Sequence, residues 1–254
     1  MRTRILLPIA ISLFALSGQA AVFLDEHFDS YADQTAFQTA WPINGTASTV
    51  LNSSQSVSPN QSVEGLTTAT RNAFSIGEVG FLNASSDVVI FRFSFYDSAG
   101  SAGAYRQYAE LDDTAAPSGS GQLFAMGLNN NIASTFYMAR ILGGDGGAGV
   151  SAFFKLDGAG APTRTTGWHT LEADIGDTSV NYYVDGILSK TVDISGLTDR
   201  SLDTVKVGSN LSATQVAYFD DIHVERSSVP EPTVAGLGLL AGAIMALRGP
   251  RQSR

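Results

Sequence analysis

In AVFLDEHF, residues 21–28, one face of a strand carries Val22, Leu24, Glu26 and Phe28. In QVAYFDDIHVE, residues 215–225, one face carries Val216, Tyr218, Asp220, Ile222 and Val224. Each apolar face is thus interrupted by one carboxylate. A buried carboxylate needs compensation, and two near one another repel. If the terminal strands lie side by side, a calcium ion held by Glu26, Asp220 and backbone carbonyls would supply it. The alternative is a bulge or strand end that exposes both. A third acidic feature is AYRQYAELDDT, where Glu110 and Asp112 stand two apart and share one face of a strand.

Aromatic side chains offer a second kind of chemistry. Tyr96, Tyr108 and Trp168 fall on strand faces that also carry Arg92, Arg106 and Glu172. Rings with polar groups around them form a platform on which a sugar can stack; the plainer reading is partly buried packing. The histidines His27, His169 and His223 are far apart and share no metal-ligand spacing. His27 and His223 fall on the terminal strands, on the faces opposite Glu26 and Asp220, as exposed residues. No Gly-x-Ser-x-Gly occurs, so no nucleophile elbow supports a serine triad. SGSGQ and GGDGGAG lack the strand, helix and lysine context of a phosphate loop.

The elements that must position these groups are strands. Short strand-like runs alternate with turn clusters, and no long 3.6-residue period appears. In SDVVIFRFSFYDS, Val89, Phe91, Phe93 and Phe95 share one face, while Arg92, Ser94 and Tyr96 share the other. Asp185-Gly186 in NYYVDGILSKTV separates two such runs and predicts a two-residue hairpin. Further strands are predicted at 71–77, 105–113, 122–129, 134–142, 150–156, 167–175, 202–208 and 215–226, a helical turn at 35–41, and loops at 143–149 and 157–163. About a dozen strands at this spacing imply an all-β fold, an antiparallel two-sheet sandwich or jelly roll. No internal repeat and no linker before Ser227 break it, so residues 21–227 read as one domain.

Composition narrows the function. Lys and Arg number 15 against 24 Asp and Glu, a net charge of −9. Setting aside Arg2 and Arg4 at the start, and Glu231, Arg248, Arg251 and Arg254 at the end, leaves 10 basic and 23 acidic residues, or about −13. No basic stripe remains, which excludes nucleic acid as a partner. Cysteine is absent. That removes disulfides, thiolate zinc sites and a cysteine nucleophile together. A sizeable core must hold the domain instead.

Both ends read as processing signals. Two arginines, an apolar run from Ile5 to Leu16 and the small residues Gly18 and Ala20 make 1–20 a signal peptide for export, cut before Ala21 by signal peptidase. At the other end stands VPEPTVAGLGLLAGAIMALRGPRQSR, residues 229–254. Its apolar run, Thr233 to Leu247, spans 15 residues. As a helix that is about 22 Å, short of a ~30 Å hydrocarbon core. Arg248, Arg251 and Arg254 follow as a cytoplasmic flank would, and Pro230 and Pro232 keep the preceding stretch extended. Val229-Pro230-Glu231-Pro232, the apolar helix and the arginines closely resemble a PEP-CTERM sorting signal, with the arginines spread out instead of clustered. The resemblance covers residues 228–254. It implies recognition by exosortase in a Gram-negative bacterium that makes exopolysaccharide, removal of the tail, only transient membrane contact, and delivery to the cell surface or extracellular matrix.

The body carries a second resemblance. GWHTLEADI, YYVDGIL and the closing YFDDIHVE are similar to concanavalin A-like and laminin G-like sandwiches, which implies a curved sheet whose concave side holds sugar in relatives. Jelly-roll carbohydrate-binding modules also bind a structural calcium with acidic residues of their terminal strands, in line with Glu26 and Asp220. Glu110 and Asp112 resemble part of the motif of glycoside hydrolase family 16, whose retaining mechanism needs two carboxyls about 5 Å apart. Where that family places its second glutamate, this chain has Thr114, Ala115 and Ala116. The expectation is an exported, non-catalytic β-sandwich associated with exopolysaccharide or biofilm. A carbohydrate-binding module with a defined ligand, and a hydrolase with a degenerate motif, are the alternatives.

Overall fold

A computed structural model describes residues 20–80, 87–100, 106–114, 122–129, 134–143, 153–197, 201–213 and 215–228. The expected leader up to residue 19, residues 144–149 of the expected loop, and the expected sorting motif and apolar run at 229–254 therefore lie outside the described residues. Among those described, no helix is long and apolar enough to cross a membrane.

Two antiparallel sheets face each other. The larger contains β1 (Ala21–Glu26), β2 (Val50–Asn52), β3 (Ser62–Gly65), β5 (Asp87–Asp97), β10 (Gly167–Ile175), β11 (Ser179–Val184), β12 (Ile187–Asp193) and β14 (Ala217–Ser228), in the order β12-β11-β10-β5-β14-β3-β2 with β1 also on β14. The smaller contains β4 (Asn72–Gly80), β6 (Arg106–Asp112), β7 (Leu123–Asn129), β8 (Met138–Leu142), β9 (Phe153–Lys155) and β13 (Ser201–Val207), in the order β4-β13-β6-β7-β8-β9. The sequence places most of these strands within two or three residues; β2 and β3, three and four residues long, are too short for a period to show. The helix α1 (Gln34–Ala40) begins at Asp33, whose carboxylate accepts from the Ala36 amide at 2.8 Å.

Alternation fills the space between the sheets. Val89, Phe91, Phe93 and Phe95 of β5 point inward and are fully buried, while Arg92 is exposed. They meet Leu171, Ala173 and Ile175 of β10, and Ala109, Leu111, Met126 and Val205 of the smaller sheet, in one core. Phe219 of β14 joins the stack, 5.4 Å from Phe95 and 6.2 Å from Phe93 between ring centres. Asp185 and Gly186 both take positive φ, +51° and +74°, the paired left-handed geometry that the Asp-Gly hairpin anticipates.

β14 is the strand on which the larger sheet turns. Its residues 217–219 pair with β3 on one edge, and residues 222–226 pair with β1 on that same edge. The other edge pairs with β5 throughout, except that two residues, Asp221 and Ile222, stand between the partners of Ser94 and Arg92, where β5 has only Phe93. This β-bulge puts Asp221 at φ +47°. It also shifts the alternation by one. Ala217 and Phe219 face the core before it, and Ile222 and Val224 after it. The sequence-based face Val216, Tyr218, Asp220, Ile222, Val224 is therefore corrected, because an unbroken period of two cannot register an inserted residue. In β1 the register likewise shifts between Val22 and Leu24, and Val22 is exposed while Leu24 is buried.

Among the described residues, one ion pair is wholly inside. The Arg164 guanidinium grips Asp97 through Nε at 2.8 Å and Nη2 at 3.3 Å, and neither side chain is exposed. The Asp97 carboxylate also accepts from the amides of Ala99 and Gly100, and Arg164 Nη1 donates to the Ser134 carbonyl. The pair fastens the 157–166 loop to the end of β5. Arg164→Met is expected to cost about 3–5 kcal/mol, because it strands a buried carboxylate; a urea midpoint within error of the parent would refute this.

Candidate functional site

Because β10, β5, β14 and β3 pair in register, their outward residues form rows across the sheet. Trp168 stands opposite Tyr96, Tyr96 opposite Tyr218, and Tyr218 opposite Glu64. Ring centres are 5.4 Å apart for Tyr96 and Trp168, and 5.7 Å for Tyr96 and Tyr218, with interplanar angles of 70° and 78°. Edge-to-face contacts of this kind fix ring orientation, and all three rings keep part of their surface open to solvent. Two of the three aromatics expected from sequence, Tyr96 and Trp168, are thus neighbours. Tyr218 is the third, and an unbroken period of two puts it on the inward face, since no sequence signal marks the bulge.

Tyr108 does not join them. It lies on β6 in the other sheet, is 4% exposed, packs against Phe153 with ring centres 5.4 Å apart, and donates its hydroxyl to the Ser209 carbonyl at 3.2 Å. Its place on a solvent-facing platform is corrected: it is a packing residue. Burial pushes its hydroxyl up to about 12.

Two residues along each strand the next row begins, and here a groove of about 810 Å³ opens. Thr170 and Ser94 face each other at its head. Then Glu172, Arg92, His223 and Asp25 align across β10, β5, β14 and β1. Arg92 Nη1 is 3.5 Å from Glu172. His223 reaches Asp25 at 3.1 Å through Nδ1 and Glu225 at 3.2 Å through Nε2. His27, just past β1, sits 2.6 Å from Asp221 through Nδ1 and 3.8 Å from Asp25 through Nε2. The hairpin residues Asp185 and Gly186 also line it, with Asp185 holding His169 Nδ1 at 2.8 Å and accepting from the Thr170 amide at 2.9 Å. A smaller hollow of about 520 Å³ beside it is lined by Asp29, Ser30 and Pro59 together with His27 and Asp221. The two histidines of the terminal strands are therefore near one another, each already engaged by carboxylates.

Glu26 and Asp220 are compensated by the protein itself. Glu26 takes the Phe28 amide at 2.6 Å, the Tyr31 hydroxyl at 2.6 Å and Trp41 Nε1 at 3.3 Å. Asp220, fully buried, takes the amides of Val57, Ser58 and Asp221 at 2.8, 3.0 and 2.9 Å, and the Ser58 hydroxyl lies 2.9 Å from it. Burial holds the Asp220 pKa above its ordinary value, and these donors limit the rise. The compensation expected from calcium is thus supplied at both residues by N–H and O–H donors of the chain itself. Among the described residues, no three His, Asp or Glu side chains are arranged to hold a metal ion.

Glu110 and Asp112 face outward from β6 but are 3% and 9% exposed. Arg71 Nη1 is 3.4 Å from Glu110, and Lys206 Nζ bonds Asp112. Burial raises both carboxyls, and these cations work against the rise. Thr114, standing where a further acid was sought, bonds Asp203 through its amide at 3.0 Å and its hydroxyl at 2.9 Å. Ala115 and Ala116 lie outside the described residues.

No family model matches this chain, and no curated protein does. Solved structures do. The conserved carbohydrate esterase vb_24B_21 from the Shiga toxin-encoding bacteriophage phi24B superposes with a TM-score of 0.54 at 12% identity, over 83% of this chain and 100% of that one. The cellulose-induced protein Cip1 superposes with a TM-score of 0.50 at 16% identity, over 81% and 97%. An HCR/D mutant gives 0.50 at 12% identity over 82% of this chain, which spans about half, 48%, of that protein. The likeness is one of fold.

The hydrogen bond to Asp221 raises the His27 pKa, aided by the charges of Asp221, Asp25 and Asp220 and opposed by burial. The pair's stabilisation is thus complete below the unfolded value of about 6.5 and is lost as pH rises through the higher folded value. With half of the His27 side chain exposed, it is worth below about 1 kcal/mol. His27→Gln should lower the melting midpoint by a degree or two at pH 5.5–6 and by less at pH 8.5. A difference that grows with pH would contradict this assignment.

Proposed function

We propose that this chain is an exported, non-catalytic β-sandwich of the Gram-negative cell surface or extracellular matrix, and that it holds exopolysaccharide along the outer face of its larger sheet. The observation that carries the reading is the in-register row Trp168–Tyr96–Tyr218, two residues along the strands from the Thr170 and Ser94 that line a polar groove. Aromatic surface offers a sugar ring its apolar face, and Ser94, Thr170 and Arg92 offer hydrogen bonds beside it. The names of two fold neighbours, a cellulose-induced protein and a carbohydrate esterase, lend support from the same direction. A non-catalytic role is supported by the ion pairs that occupy Glu110 and Asp112 and by the threonine at 114. Export and sorting rest on the sequence: a leader ending at Ala20, and Val229-Pro230-Glu231-Pro232 ahead of the apolar run and Arg248, Arg251 and Arg254. Signal peptidase and exosortase are the processing partners.

Two experiments test this reading. A glycan array followed by calorimetry with the host's own exopolysaccharide should give binding without turnover, weakened about tenfold or more by Trp168→Ala. Uniform blanks, or a Trp168→Ala protein that binds like the parent, would remove the glycan role. Intact-mass measurement of the protein from the native surface should show a start at Ala21 and loss of Arg248, Arg251 and Arg254. A full C-terminus would remove the sorting role.

A further inference from the structure

The groove below the aromatic row has a charge balance that selects among glycans. Asp25, Glu172, Asp185 and Asp221 line it, against one guanidinium, Arg92, and the imidazoles of His27 and His223. Four carboxylates against one guanidinium leave three net negative charges before either imidazole is counted. None of the four carboxylates is sealed: their side chains are 59%, 24%, 39% and 29% exposed in that order. Their present partners leave acceptor capacity. A carboxylate has about four lone-pair positions, and Arg92 Nη1 stands 3.5 Å from Glu172.

We infer, resting on the glycan-holding reading above, that the preferred ligand is an amino sugar polymer with free ammonium groups. The aromatic row would take a sugar face. An ammonium group about 7 Å along the sheet, level with Thr170, would meet Asp185, and one about 13 Å along would meet Glu172. Asp25, three strands from Glu172, would take another. An ammonium group carries three donors and no acceptor, which matches a wall of carboxylates. A neutral N-acetylated chain gains only the stacking and hydroxyl contacts. A uronic acid chain meets like charge in the groove and a surrounding body of about −13. The ligand class follows from carboxylates on four separate elements, β1, β10, β14 and the β11–β12 turn, converging on one hollow.

Calorimetry on the full chain at pH 7, in chelator and at low salt, compares three pentasaccharides: glucosamine, N-acetylglucosamine and galacturonic acid. The glucosamine chain is expected to bind about tenfold or more tighter than the N-acetylated one, a preference that shrinks severalfold at about 0.5 M salt as screening sets in. Glu172→Gln and Asp185→Asn should each remove much of that preference while leaving the N-acetylated affinity in place; an unchanged melting midpoint confirms their fold. Trp168→Ala should weaken both chains alike. If the N-acetylated or uronic chain binds as tightly as glucosamine, the amino sugar inference is overturned and the glycan role stands. If none of the three chains binds and the host exopolysaccharide also fails, the glycan role itself is overturned.

Discussion

Asp220 is the residue around which the larger sheet is organised. It is a buried carboxylate, and it is tolerable only because the amides of Val57, Ser58 and Asp221 and the Ser58 hydroxyl converge on it. Those donors come from the β2–β3 connection and from the bulge itself. The Ser58 hydroxyl also lies 2.9 Å from the His27 carbonyl, so one polar knot joins the end of β1, the approach to β3 and the middle of β14. At this knot β14 exchanges β3 for β1 as its neighbour. The inserted residue lets Phe219 and Ile222 both face the core. It leaves Tyr218 outside, completing the aromatic row, and turns Asp221 toward His27. The two halves of the candidate site are thus set by one buried charge.

Much of this was legible from residue order. The alternation of β5 states which phenylalanines are inside, and the Asp-Gly pair states where β11 turns into β12. Tyr96 and Trp168 belong to the strongest strand signals in the chain, so their outward faces could be read. What failed did so where a local rule was broken. A bulge reverses the two sides of its strand relative to each other, so a face read through Ile222 and Val224 wrongly carries Tyr218 inward. Tyr108 shows a different limit: a residue on the outward face of a strand is exposed only if nothing covers that face. Here β7 is buried along its whole length, so the outer face of the smaller sheet is packed, with Leu142 and Phe153 against Tyr108, Leu123 and Ala125. Register across strands distant in sequence, such as Glu172 with Arg92 and His223, has no signature in a single sequence at all.

Glu26 and Asp220 show how a sound energetic argument can stop one step short. Each carboxylate did require compensation. A cation is one way to provide it, and a ring of N–H and O–H donors is another. The second leaves little trace in sequence, because backbone amides are everywhere. Tyr31 and Trp41, donors to Glu26, were visible but unassigned. The same economy governs Glu110 and Asp112, whose cationic partners Arg71 and Lys206 come from distant segments.

The pairing of β1 with β14 has a mechanical meaning. Ala21 stands opposite Arg226, so the polypeptide enters and leaves the sandwich at one corner. Along β5 that corner is marked by Val89, and the ring of Tyr96 lies seven residues away, about 23 Å. Anything that tethers the protein through either flanking segment grips it by that corner. The aromatic row of the outer face then projects from the opposite end of β5, as a hand does from a wrist.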